Sequence, residues 1–418
     1  MSSKAMMLSP LLVEEDTAAN KVLTNDDLLG EILPRIHCPS CLVCAALTCK
    51  RWLRNASNET TIHRFRSQML SHLLGVYISI DGFSNPKFVP LPDASRPELA
   101  VALRHGNFSF NNMDSPLLSI WDCRNDRVLY GFSKSFNVAL GPALRAPLRC
   151  PGEDTVILSP QPSTTWPNCP HAMLLPDDDS DDSSCYRVDI SNKDRTVCAK
   201  VFVIRAGTWT IHLSTLADLA KSPQKILTMT LLMRGKIYMM TMAGYILTLD
   251  IATTRFSIVD LPRGVEFKYT GNLVPCRGDN SVLYLFNVKG DKLTVWFQRM
   301  DDNSSIGSRP GEWILRDTIS LPETCGHLMK QGGGPLDGQG WEEAVVSVVG
   351  VGDNAEFVFL EFEETGVIGY MHLKSRKVKK VYQRHPDNDF SISVLPFMMV
   401  WPVVFPELGA DEGEGMQQ

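Results

Sequence analysis

At 418 residues the chain has room for two or three domains and one large core, and its formal net charge of -6 argues against general nucleic-acid binding, which needs a basic face. No cationic start followed by a long apolar run marks a secretory signal. The most apolar late window, Leu395 to Phe405, is short and holds two prolines, so no membrane span is expected. Eleven cysteines in a chain without an export signal read as reduced thiols, which leaves the sequons at Asn55, Asn58, Asn107 and Asn303 without meaning and places the protein inside the cell, in the cytoplasm or the nucleus.

Residues 1–20 lack periodicity and read as a disordered leader. From Val22 to Leu53, 18 of 32 residues are apolar, about 56% against 44% for the whole chain. A segment this short cannot bury that surface alone, so the surplus packs elsewhere or is offered to a partner. Thr24 followed by Asp27 predicts a capping-box-like helix start, with Asp26 and Asp27 in the first turn. Leu28, Leu29, Ile32, Leu33 and Ile36 make one broad apolar helix face, and Pro34 predicts a stop near Leu33. A second helix starts at Pro39-Ser40 and a third at Cys49-Lys50-Arg51-Trp52. Thr60 to Leu74 predicts a further helix packed behind them.

From Val76 to about Phe405 the texture changes to short alternating or β-branched runs bounded by Gly, Pro, Asn and Asp. Lys236–Met240, Tyr245–Asp250 and Arg255–Val259 predict three meandering antiparallel strands with turns at Ala243-Gly244 and Thr253-Thr254. The texture recurs at 117–140, 186–213, 282–321 and 345–382, and a Leu-Pro ending recurs at Leu91, Leu261 and Leu321. Four to six such units suggest radial repetition of small sheets, a β-propeller; a β-sandwich is the rival, but about 330 residues exceeds its usual size. Leu216 to Lys221 admits a helical turn. Pro160 to Asp182, 303–311 and 331–340 read as connections between sheets, and residues 406–418 as an acidic tail.

Several patterns are weighed for chemistry. Cys38, Cys41, Cys44 and Cys49 give C-x2-C-x2-C-x4-C, near the spacings that hold zinc or iron–sulfur clusters, but on a helix they also suit small buried positions. Asp177, Asp179 and Asp181 imitate the start of a calcium loop that then fails at Asp182 and Val188. Lys374, Arg376, Lys377, Lys379 and Lys380 read as the exposed face of an outer strand, with a phosphate patch or localisation signal as the rival. No nucleophile elbow, Walker loop, dinucleotide fingerprint or H-E-x-x-H is present, and the nine histidines are scattered, so no catalytic residues, metal or cofactor are assigned.

The residues Leu23, Asp27-Leu28-Leu29, Glu31-Ile32-Leu33, Ile36, Leu42, Leu47 and Cys49-Lys50-Arg51-Trp52 closely resemble the F-box. The continuation Ile62–Arg66 and Leu73–Tyr77 resembles the plant, especially grass, F-box proteins, in which a β-propeller-like region follows. Thr24, His37, Pro34 and Cys44 depart from the usual pattern. The resemblance implies a multidomain chain: a small all-α F-box at 21–66 and a large all-β domain, a β-propeller, at 67–405. It further implies a non-enzymatic substrate adaptor of an SCF-type ubiquitin ligase. Leu23, Asp27, Leu28, Leu29, Glu31, Ile32, Leu33, Ile36, Leu42, Leu47, Cys49 and Trp52 would then contact or support a Skp-type adaptor, and through it a cullin and a RING subunit. The β domain would hold a target protein, with no nucleic acid or membrane as partner. A non-degradative F-box interaction protein and a cysteine-ligated metal-binding regulator stay open as alternatives.

Overall fold

The computed structural model describes residues 23, 25–36, 39–68, 72–80, 84–91, 100, 102–104, 106–110, 118–124, 126–132, 143–148, 155–158, 171–176, 184–205, 208–278, 281–300, 311–329, 346–385 and 392–399. The leader 1–20, Thr24, His37, Cys38, the acidic run 177–182, the connection 331–340 and the tail 406–418 lie outside them. The described residues divide into two compact units, one up to His72 and the other from Leu73 to Met399.

The first unit is helical: α1 (Asp26–Ile32), a 3-10 turn (Leu33–Arg35), α2 (Pro39–Ala46), α3 (Lys50–Ala56) and α4 (Glu59–Gln68). Pro34 cannot donate to a fourth residue back, and the α-helix gives way one residue before Leu33 to the 3-10 turn.

The second unit contains six sheets. Blade 1 is β3 (Leu118–Arg124), β4 (Arg127–Phe132), β5 (Ala143–Arg145) and β6 (Thr155–Ile157). Blade 2 is β7 (His171–Leu174), β8 (Cys185–Lys193), β9 (Thr196–Arg205) and β10 (Thr208–Asp218). Blade 3 is β11 (Ile226–Met233), β12 (Lys236–Thr241), β13 (Tyr245–Asp250) and β14 (Phe256–Asp260). Blade 4 is β15 (Leu273–Gly278), β16 (Val282–Lys289), β17 (Lys292–Arg299) and β18 (Ile314–Ser320). Blade 5 is β19 (Val346–Val351), β20 (Phe357–Phe362), β21 (Val367–His372) and β22 (Val378–Gln383). The sixth sheet, in order β2-β1-β23, combines β1 (His72–Ile80) and β2 (Ser84–Pro90) with β23 (Ile392–Met399).

Strands β3, β7, β11, β15, β19 and β23 adjoin one another in turn, and β23 returns to β3. That closed circuit makes the unit a six-bladed β-propeller, and the small all-α module followed by a large all-β domain is the architecture present. Closure relies on the last described strand completing the sheet that β1 and β2 begin.

Each hydrophobic cluster lies between consecutive blades. Val188, Val201 and Leu213 of blade 2 meet Ile226, Met239 and Leu247 of blade 3. The pattern explains why β20 is buried along its whole length: Val358, Leu360 and Phe362 face blade 4, while Phe357 and Phe359 face the sixth sheet. Outer strands instead alternate, as in β10. The β11–β12 turn takes Arg234 and Gly235 at φ 49° and 69°, the two positive values a type I′ hairpin needs.

The three-strand meander read from the sequence is β12–β13–β14, in continuous antiparallel register. Elsewhere tertiary pairing overrides the local pattern. The helix expected to Leu74 ends at Gln68, because His72–Ile80 is a β-branched and aromatic run that joins the sixth sheet. The turn expected at Leu216–Lys221 is instead the end of β10, with Leu216 opposite Cys198. Within the supposed connection 160–182, His171–Leu174 forms β7, a member of the central circuit. Leu321-Pro322, read as a strand ending, opens helix α5 (Leu321–Met329). Its proline sits in the first turn, where no N–H is needed, and Leu321 and Cys325 are buried against blades 4 and 5.

Around the closure Tyr77, Phe88, Phe108, Phe110 and Phe397 pack together, with Phe397 5.5 Å from Phe108 and 6.0 Å from Tyr77. Phe397→Ala is expected to lower stability by about 3–5 kcal/mol, read as a shift of the urea midpoint. In blade 2, Arg187 and Asp189 are each 2% exposed and form a two-point ion pair, Nε to Oδ1 2.7 Å and Nη2 to Oδ2 3.1 Å. Asp189→Ala leaves a buried guanidinium without that carboxylate and should cost roughly 3–5 kcal/mol. The Arg187→Met/Asp189→Leu double variant should cost less than the single one, because both charges go together.

Candidate functional site

The helical module is built from three ties and a small core. Asn25, not Thr24, caps α1: its side-chain oxygen accepts from the Asp27 and Leu28 amides at 2.9 and 3.2 Å. Asp26 then turns to α3, where its Oδ1 accepts from Arg51 Nε at 2.7 Å and Asn55 Nδ2 at 2.8 Å. These bonds, the one from Arg51 foremost, hold the Asp26 carboxyl below the usual carboxylate range. Glu31 faces Arg64 of α4 in a two-point pair, Nη1 to Oε1 2.7 Å and Nη2 to Oε2 2.8 Å, and also takes a bond from Arg35. The Arg64 guanidinium likewise lowers the Glu31 carboxyl. Both ties are solvent-exposed, so they orient helices more than they stabilise them.

Beneath the ties Leu29, Leu33, Leu42, Ala46, Ala56 and Phe65 are fully or almost fully buried, with Ile36, Val43, Ala45, Trp52 and Leu53 packed around them. The residues singled out in the sequence therefore divide. Leu29, Leu33 and Leu42 form the module's interior; Ile36 and Trp52 flank it. Leu28 (41% exposed) and Ile32 (36%) stand one turn apart on α1 and face solvent, as do Leu23 (39%) and Leu47 (64%). Asp27 is exposed. Cys49, also exposed, is the residue before α3, and its carbonyl accepts the Leu53 amide at 3.0 Å. An apolar stripe held outward by a packed interior is a surface suited to burial on a partner.

Asn25, Asp26, Asn55, Arg64 and Phe65 complete the module; in the sequence Asp26 reads as a first-turn acid and Arg64 and Phe65 fall within Ile62–Arg66, but neither Asn25 nor Asn55 is assigned a part in the frame. The available signal was the Asn-Asp-Asp run before an apolar face, which offers a cap and first-turn acids together.

Cys41, Cys44 and Cys49 are exposed, not the small buried side chains that helical placement suggested. Among the described residues no group of three or more His, Cys, Asp or Glu is arranged to hold a metal ion. Lys374, Arg376 and Lys377 precede β22, and Lys379 and Lys380 lie on it, at the edge of blade 5. Arg376 is engaged by Asp317 of blade 4 through two bonds of 2.7 and 2.6 Å. Near the ring, Asp122 of β3 accepts the Leu175 amide at 2.7 Å, and burial pushes its carboxyl above the usual range. Arg124, two residues on, donates to the carbonyls of Leu175 and Leu232, so one strand stitches three blades together. These polar groups serve the fold. Among the described residues no helix is long and apolar enough to cross a membrane.

Solved structures similar in fold include a chain of a nidogen/laminin complex, 12% identical over 77% of this chain and 98% of that one, TM-score 0.37. A structural genomics protein of unknown function from Bacteroides thetaiotaomicron is 12% identical over 76% of this chain and 66% of that one, TM-score 0.37. The Cps50 (Swd1) β-propeller domain of Myceliophteria thermophila is 10% identical over 65% and 74%, TM-score 0.34. Likenesses this distant carry no argument about function. No curated protein matches the chain in sequence. The model of the family described as "F-box protein AT5G49610-like, beta-propeller" matches residues 119–405, more than half of the chain, including blades 2 to 5 in full and blade 1 from its second residue. The chain belongs to that family.

Proposed function

We propose that this protein is the substrate-recognition adaptor of an SCF-type ubiquitin ligase. The helical module at 21–66 acts as the F-box and docks on a Skp-type adaptor, which connects it to a cullin and a RING subunit. The propeller holds the target protein. The carrying observation is the outward apolar pair Leu28 and Ile32 on a helix whose neighbouring residues Leu29 and Leu33 are its buried interior, in a chain of an F-box protein propeller family. The chain supplies no chemistry; by holding the target beside the ligase's charged enzyme it raises the effective concentration of the reacting groups. The reaction takes place inside the cell, in the cytoplasm or nucleus. Pairwise pocketing of Leu28 and Ile32, each worth roughly 1.5–3 kcal/mol when fully buried, would supply a large part of the docking energy, and Leu23 and Leu47 extend the apolar surface.

Co-expression with a plant Skp-type adaptor followed by size-exclusion chromatography tests the reading. Wild type is expected to elute as a one-to-one complex. Leu28→Asp/Ile32→Asp should weaken that complex at least about tenfold while leaving the helical circular dichroism of the chain unchanged. Leu29→Ala should act differently, destabilising the module itself by about 2–5 kcal/mol and losing the complex together with its helical signal. A folded wild type that ignores every adaptor tried would sink the reading.

The Glu31–Arg64 pair adds a pH dependence with a definite sign. A carboxyl depressed in the folded module contributes stability that is fully present above its unfolded pKa, about 4.3, and lost as pH falls through the lower folded value. Module stability should therefore drop below about pH 4.3. Glu31→Gln should flatten that part of the acid limb in a thermal-shift titration.

A further inference from the structure

Between β14, the outer strand of blade 3, and the end of β17 with the approach to β18 in blade 4 lies a cleft of about 420 Å3, lined by Ile258, Val259, Asp260 and Leu261 on one side and Gln298, Arg299, Met300, Gly311 and Trp313 on the other. The volume falls within the roughly 300–1,000 Å3 of pockets that hold small ligands or single side chains, and is too small for a folded surface. Its apolar walls are flat and deformable: Trp313 and Met300 face the aliphatic ends of β14, and all are only part-buried.

The polar groups are placed sparingly. Trp313 Nε1 donates to the Asp260 carbonyl at 2.7 Å, which fixes the indole against β14. Asp260 pairs through its carboxylate with Lys221 at 2.8 Å. Arg299 forms no ion pair among the described residues and is the cleft's uncommitted positive charge. Gln298, 4% exposed, donates Nε2 to the Gly311 carbonyl, while its Oε1 is buried without a hydrogen-bond partner. Buried acceptors are ordinarily satisfied, and this one is suited to an incoming N–H. Strand β14 is the outer edge of blade 3, so its outward backbone groups have no strand partner within that sheet.

We propose that this cleft captures the C-terminal end of an extended peptide whose last residue is apolar. Such an end puts a carboxylate and an apolar side chain on one Cα. Arg299 takes the carboxylate, in the two-point geometry that guanidinium and carboxylate favour. Trp313 and Met300 take the side chain, and the preceding backbone runs along the open edge of β14 with an N–H available to Gln298 Oε1. A free apolar acid shares the terminal chemistry but has no backbone to lay on β14, so the peptide is the committed occupant. The assignment rests on the cleft alone and stands or falls independently of adaptor docking.

Fluorescence anisotropy of labelled glycine/serine peptides ending in leucine, valine or phenylalanine, with the full-length protein, tests it. Peptides with a free terminal carboxylate are expected to bind saturably, and the same peptides with an amidated end at least about tenfold more weakly. This comparison uses wild type only, so no folding defect enters it. Arg299→Gln should reproduce the loss seen on amidation, with unchanged thermal unfolding, and Arg299→Lys should restore part of the affinity. N-acetylleucine should compete more weakly than the peptides. Equal affinity for acid and amide ends, absence of saturable binding, or competition by N-acetylleucine as strong as that by peptide would each overturn the proposal.

Discussion

Strand β23 decides whether this chain has a core. It lies beside β1 in the sixth sheet and beside β19 and β3 in the central circuit, so residues at opposite ends of the propeller must meet before blades 1 and 5 have neighbours on both sides. Closing a loop of some three hundred residues carries an entropic cost that grows only with the logarithm of its length. The return is large: with the ring closed, every described sheet has a neighbour on each face, and the hydrophobic clusters form one after another between blades. The aromatic group of Tyr77, Phe88, Phe108 and Phe397 sits where the first and last strands join, and it fills that seam with large, rigid surfaces.

Burial of polar groups follows the same constraint. Because both faces of a blade are covered, side chains that would be solvated in an open sheet must find partners inside. Arg187 and Asp189 meet this by pairing along one strand, Arg124 by spanning to the carbonyls of two further blades, and Asp122 by receiving the Leu175 amide. A buried pair of this kind adds little to stability compared with apolar replacements, yet it penalises misregistered blades, where one partner would be left alone.

The helical module solves a smaller version of the problem. Six buried residues cannot absorb an apolar segment of this length, so the surplus is presented, not hidden. Leu28 and Leu29 are adjacent in sequence and opposite in role: one faces solvent, the other is the interior that holds the first in place. The Asp26–Arg51 and Glu31–Arg64 ties fix the helix bearing that stripe from both ends. The two units thus expose surfaces of different character, an apolar helix stripe in one and a cleft along an outer strand in the other.

The small helical segment, the strand-rich remainder and the β12–β14 meander were legible because each is a local pattern: apolar periodicity, β-branched runs and turn residues all act within a dozen positions. Strand β7 was not, since four residues in a proline-rich stretch become a strand only by pairing with β8; nor was α5, whose Leu321 and Cys325 earn their helical placement from blades 4 and 5. The blade count stayed between four and six for the same reason, as only ring closure fixes it. Within the module the sequence determined which residues are apolar and helical. Which of two neighbouring leucines is interior and which is offered, and which Arg meets Glu31, depended on how the helices cross. Those choices are made by contacts between residues about thirty positions apart, and no local pattern encodes them.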